Sequence, residues 1–154
     1  MIIINNGNVF TDIQIKKIIR FLGKDYEPRK IVIYETRFDM LRHYLQCYNF
    51  SIEEIKGELE GSYDPATDTV YICVFAQNDD GDDLHSKQLY SIHAMAHELR
   101  HRYQAVKNFL TSETDEDRSE KDADKFATKF VNHNARKIKE IMGWKDEWTV
   151  EEED

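Results

Sequence analysis

The chain has 154 residues, and at roughly 100 to 200 residues per domain this length predicts one compact domain, 1–154, with a core of its own. It carries 21 Lys and Arg against 30 Asp and Glu, a formal net charge of -9, a field that repels phosphate backbones and anionic lipid headgroups and argues against nucleic acid or a membrane surface as partner. A content of 40% hydrophobic residues with only 6 Gly and 2 Pro excludes a disordered or low-complexity chain.

Met1 to Ile4 is apolar but runs into Asn5, Asn6 and Gly7, too short for the core of a signal peptide. No run approaches the roughly 18 to 20 apolar residues of a membrane-spanning helix. Two cysteines, Cys47 and Cys73, are too few for a disulfide framework. The expectation is a cytoplasmic protein with reduced thiols, Cys73 being inert and buried in the apolar run 69–76.

Residues 2–4 read as a short strand. Thr11 or Asp12 then caps a helix whose Ile15, Ile18, Ile19 and Leu22 recur at helical spacing, ended by Gly23. The β-branched run 30–35 reads as a second strand, while Phe38, Leu41, Tyr44, Leu45 and Tyr48 space a second helix, with a turn at 51–56. Residues 58–63 and 69–76 flank Asp64-Pro65-Ala66-Thr67-Asp68, whose Asp-Pro start signals a turn, so a β-hairpin is expected. In the acidic loop 77–83, Asn78 to Asp83 lacks the alternating ligands and closing Glu of a calcium-binding EF-hand loop and reads as solvated. Helical patterns run over 86–110 and 119–142, and the tail 144–154 ends in acidic residues. Strands among helices, followed by two long helices, define an α+β fold.

The chemistry concentrates in His97-Glu98-Leu99-Arg100-His101, an H-E-x-x-H motif. On a helix turning about 100° per residue, His97 and His101 fall one turn apart on one face, so both imidazoles can reach one metal ion. Glu98 lies beside that face, where it can miss the metal and still act as general base toward a water. Leu89, Ile92, Ala96, Leu99, Tyr103, Val106 and Leu110 step by three and four as a core-facing stripe on the opposite side. A catalytic zinc site wants a third ligand and an open position. Glu120-Lys121-Asp122-Ala123-Asp124 offers it: Glu120 can complete a His, His, Glu set, and one turn on, Asp124 can accept a hydrogen bond from the far nitrogen of a ligand imidazole.

The pair HELRH and EKDADKFA resembles the zincin metallopeptidases of the gluzincin type, whose third ligand is a Glu in an E-x-x-x-D helix. The short spacing and the phrase Ala123-Asp124-Lys125-Phe126-Ala127 look most like small bacterial and phage proteins related to the ImmA/IrrE and minigluzincin groups. The likeness spans about residues 69–142. It implies a zincin-like core: a small twisted sheet with a β-hairpin edge, packed on the HExxH helix and a C-terminal ExxxD helix. It implies Zn2+ on His97, His101 and Glu120, with Glu98 as base and proton shuttle and Asp124 as orienter. It also implies that the strand before the active helix, here 69–76, is the edge along which an extended substrate pairs. Arg100 departs from the pattern, which commonly has Gly before the second His; it is expected to reach solvent or a substrate carboxylate.

Around this centre, His93 lies one turn before His97 as a candidate extra ligand or substrate contact, against the plainer reading of a half-buried histidine. Tyr90 shares the face and is a candidate oxyanion donor. His85 follows the acidic loop and is a weak candidate to approach the site, His133 reads as surface, and Ala123, Phe126, Ala127, Phe130, Val131, Ile138 and Ile141 as core.

The expected activity is zinc-dependent hydrolysis of a peptide bond in a protein or peptide partner. About 30 residues follow Asp124, too few for a second domain to form a far wall, so a shallow, open site is expected. The rival is a non-catalytic metal-binding module that docks a protein partner, such as a regulator in a phage or mobile-element system. Glu98 speaks for catalysis, because a docking module needs no base there. A peptidase acting on DNA-bound proteins is disfavoured by the negative charge and the lack of basic clusters.

Overall fold

The computed structural model describes residues 1–36, 38–39, 42, 60–74, 83–110 and 115–152. Among them are four strands, β1 (Ile2–Asn5), β2 (Lys30–Tyr34), β3 (Gly61–Asp64) and β4 (Thr69–Cys73), and four helices, α1 (Asp12–Leu22), α2 (Leu84–Val106), α3 (Glu116–His133) and α4 (Ala135–Met142). The α+β expectation holds. Most of the helix expected around Leu41 to Tyr48, the turn at 51–56 and the acidic loop at 77–82 lie outside the described residues.

The sheet has the order β1-β2-β4-β3. β1 and β4 both pair parallel with β2, and β3 pairs antiparallel with β4. An internal strand must bury both faces, and the unbroken apolar run of β4 supplies this: all of Thr69–Cys73 is buried. β3, with the polar sequence GSYD, is left at the edge. The strand expected to be the open edge, 69–76, is therefore internal, and the edge is its hairpin partner.

Residues of like parity share a sheet face, so Ile31, Ile33, Val70 and Ile72 point together. They meet Leu89, Ile92, Met95, Ala96 and Leu99 of α2 and Ile15, Ile18 and Ile19 of α1 in one core. α1 starts on the expected cap: Thr11 Oγ1 accepts from Gln14 N at 3.1 Å, and Gln14 Oε1 accepts from Thr11 N at 2.9 Å, a reciprocal pair.

Two boundaries differ from the sequence pattern, each for a local reason. α2 ends at Val106, because Asn108 takes a left-handed backbone (φ 52) and Phe109 N turns back to Gln104 O at 2.7 Å. Leu110 therefore falls beyond the helix, and Val106 is 51% exposed, so neither extends the buried stripe. The single helix expected over 119–142 is two: Asn134 leaves helical backbone angles (φ -113, ψ 22) and divides α3 from α4, its Nδ2 donating to the Phe130 carbonyl at 2.9 Å beside its own backbone N–H.

The hairpin is tied to α2 through Asp68. Its Oδ1 accepts from Arg102 Nε and from the Tyr63 hydroxyl, each at 2.9 Å, and its Oδ2 accepts from Arg29 N at 3.0 Å. This clamp fixes the edge strand relative to the helix that carries the histidines.

Ile92 is fully buried between sheet and helices. Ile92→Ala is expected to lower the unfolding free energy by about 2–5 kcal/mol, read as a lower urea midpoint at unchanged slope.

Candidate metal centre

α2 is the central helix, and side chains on nearly every side of it are buried, including Gln88, Ser91, Met95, Glu98, Leu99 and Gln104. His97 and His101 lie on the strip that faces α3. Their Nε2 atoms stand 3.1 Å apart. From α3, Glu120 brings Oε2 to 3.2 Å from His97 Nε2 and Oε1 to 2.9 Å from His101 Nε2.

The outer nitrogens are held from behind. His97 Nδ1 lies 2.8 Å from Asp124 Oδ1, and a carboxylate only accepts, so Nδ1 bears a hydrogen and Nε2 is the nitrogen left to ligate a cation. For His101 the partner is Gln104, which is 2% exposed. Gln104 Nε2 faces two acceptors, Asp122 Oδ2 at 2.9 Å and the Ser119 carbonyl at 3.0 Å, so the NH2 group is fixed there. Its Oε1 accepts from Ser119 Oγ at 2.6 Å and lies 2.9 Å from His101 Nδ1. His101 Nδ1 must then be the donor, and its Nε2 is the nitrogen left to ligate a cation.

Three groups able to ligate a metal thus converge. One donor atom from each of His97, His101 and Glu120 lies within 4.8 Å of the others, a group able to hold a metal ion. Tetrahedral bonds of about 2.0–2.1 Å put ligands about 3.3 Å apart, close to the separations of 2.9–3.2 Å seen here. The donor set fits a cation.

Glu98 sits beside this group and outside it, with Oε1 4.0 Å from His97 Nε2. Burial, then the charges of Glu120, Glu60 and Asp124, push its carboxyl pKa up to about 8. Gly61 of the edge strand makes room for it: a Cβ at Gly61 would stand 2.8 Å from the Tyr71 carbonyl oxygen and 2.9 Å from Glu98 Cγ. Burial, with the Glu98 charge adding to it, also pushes the Cys73 thiol up to about 12, which keeps it an unreactive thiol.

Arg100 differs from expectation. It turns inward: Nε and Nη2 donate to the two oxygens of Asp122 at 2.7 and 3.2 Å, and Nη1 donates to the Tyr26 hydroxyl at 2.7 Å. Its guanidinium lies 4.4 Å from the Tyr103 ring centroid and 4.8 Å from that of Phe126. A fork of two carboxylate oxygens and an aromatic sandwich outcompete solvent, so Arg100 is committed to holding α2 on α3 and does not reach for substrate.

His93 bonds Thr128 Oγ1 at 3.0 Å and stays outside the donor group; burial, followed by the neighbouring His97, lowers its pKa. Tyr90 is 47% exposed and, seven residues from His97, lies about 10 Å up the helix, outside the lining of the cleft. His85 stacks on Trp148 at 6.2 Å, away from the site, and His133 is exposed as expected. Sequence reasoning missed Gln104, Ser119 and Gly61.

The donor group opens into a cleft of about 760 Å³ between β3 and α3, walled by Gly61, Ser62 and Tyr63 on one side and Glu116, Ser119 and Glu120 on the other. Compared with known proteins, the chain matches no family model, no curated protein and no solved structure.

Two outcomes test this geometry. Asp124→Ala removes an exposed carboxylate and is expected to weaken Zn2+ binding about 10- to 100-fold, measured by competition with a chelator. Glu98 holds its proton more tightly folded than unfolded, so the metal-free fold loses stability as pH rises from about 4.5 to about 8. Glu98→Gln mimics the protonated acid and removes that loss. The variant is expected to match wild type near pH 4 and exceed it near pH 9 by on the order of 1–3 kcal/mol in chemical unfolding.

Proposed function

We propose that the chain is a zinc-dependent metallopeptidase of the cytoplasm, acting on an extended segment of a protein or peptide. The observation that carries this reading is the position of Glu98: a buried carboxyl of raised proton affinity, beside three convergent donors and outside them. A site built only to hold a metal has no use for such a group. The H-E-x-x-H and E-x-x-x-D spacing of the gluzincins supports the same reading.

The proposed ligands are His97, His101 and Glu120, with Asp124 and Gln104 fixing the two imidazoles. Zn2+ held there supplies Lewis acidity, polarising a peptide carbonyl and making a nearby water acidic close to neutral pH. Glu98 takes one proton from the attacking water as its oxygen adds to the carbonyl carbon. Glu98 then gives that proton to the amide nitrogen as the C–N bond breaks, leaving an amine and a carboxylic acid that releases its remaining proton near neutral pH.

The substrate lies along β3. The side of Gly61–Asp64 turned from β4 pairs with no other strand among the described residues, so an extended peptide can add as a further strand. The carbonyl to be cut then passes between Gly61 and the donor group. The substrate strand is assigned to Gly61–Asp64 because Thr69–Cys73 is paired on both sides.

The test uses protein loaded with one equivalent of Zn2+ and an unstructured protein as substrate. Glu98→Gln is expected to keep the zinc and lose about 10²- to 10⁴-fold in kcat/KM, while His97→Ala loses the zinc itself. Wild type that holds zinc but cuts nothing, or a Glu98→Gln variant that cuts as well as wild type, removes the hydrolytic reading and leaves the docking module.

A further inference from the structure

The cleft holds more negative charge than a metal site uses. Glu60, Glu98, Glu116, Glu120 and Asp124 line it, and among the described residues no Lys or Arg does. A divalent cation and its proposed base and orienter engage Glu98, Glu120 and Asp124. Glu116 is left over. It sits in the first turn of α3, one turn before Glu120, so Glu116, Glu120 and Asp124 form a row along the helix. Among the described residues no ion pair reaches Glu116; the nearby Arg118 is turned to Asp115 at 3.4 Å. Glu60, at the start of the edge strand, puts a further carboxylate on the opposite wall.

An acidic row on a helix is ordinarily just a solvated face. Here the row borders the cleft of the His97, His101 and Glu120 group, into which the Glu98 carboxyl, only 8% exposed, is also aimed.

We infer that the cleft selects an extended peptide carrying Lys or Arg beside the bond over the metal, with Glu116 as the specificity-determining residue. This rests on the hydrolytic reading above. A peptide added along β3 runs between the two acidic walls, and a cationic side chain projecting toward α3 meets Glu116 one turn from the ligand Glu120. An acidic side chain in that place meets like charge on both walls. The chain's own net charge of -9 adds to the preference by drawing cationic segments in.

The experiment separates charge selection from hydrolysis. Zinc-loaded Glu98→Gln, which binds without cutting, is titrated with three labelled peptides identical except for Lys, Gln or Glu at two central positions, and binding is read by fluorescence anisotropy. The expected order is Lys tighter than Gln tighter than Glu, about three- to tenfold per step, weakening with salt. Glu116→Lys in the same background is expected to erase or reverse the order at unchanged zinc stoichiometry. Equal affinities, no binding of any peptide, or an order that survives Glu116→Lys overturns the inference. Wild type on the same peptides reports hydrolysis separately. The binding order without any cutting keeps charge selection and removes the peptidase, whereas equal cutting of all three does the reverse.

Discussion

His97 and His101 turn their Nε2 atoms toward each other and toward Glu120 because their outer nitrogens are held from behind, by Asp124 and by Gln104. Groups packed this closely call for a proton or a cation among them. The rest of the structure works to keep that arrangement in place. The Asp122 carboxylate anchors the Gln104 amide and the Arg100 guanidinium together. Burial works against the Asp122 charge, yet the hydrogen bonds from Arg100 and Gln104 outweigh it and hold its pKa below the ordinary carboxylate range. Tyr26, Tyr103 and Phe126 stack around the same guanidinium with ring centroids 5.0 Å apart. The α2–α3 contact that brings Glu120 to the histidines is thus fixed by a charged, aromatic joint one turn from the metal group.

The sheet supplies the second constraint. The Asp68 clamp and the absence of a side chain at Gly61 let the edge strand run against Glu98. Its carboxyl is thereby taken from water, and that desolvation is the largest cause of its raised proton affinity. Glu98, the donor group and the edge strand come from α2, α3 and β3, so the cleft depends on both interfaces at once.

Much of this was legible in the sequence where local periodicity decides. The spacing of His97, His101, Glu120 and Asp124 places them by helical turns alone, and the Thr11 cap and the apolar runs of β2 and β4 follow from the same kind of rule. What was not legible depends on distant parts of the chain. Arg100 reads as a spare charge until Asp122, 22 residues on, and Tyr26, 74 residues back, are brought beside it. Gln104 lies one turn past His101, and its role exists only because α3 delivers Ser119 and Asp122. The edge strand was assigned to the wrong arm of the hairpin, though the unbroken apolar run of β4 against the polar GSYD of β3 carries the signal. The helix ends at Asn108 and Asn134 depend on local turns of the backbone that apolar spacing does not register.

The claim on which the account turns is that the two imidazoles present Nε2, held by protonated Nδ1 atoms, to one cation. Long-range 15N–1H correlation spectra of the imidazoles, recorded as Zn2+ is titrated into the metal-free protein, read this directly. The account predicts saturation at one equivalent, with Nε2 of both His97 and His101 moving to the shifts of metal ligands while both Nδ1 remain protonated. Spectra unchanged by Zn2+, or coordination through Nδ1 of either ring, would contradict it.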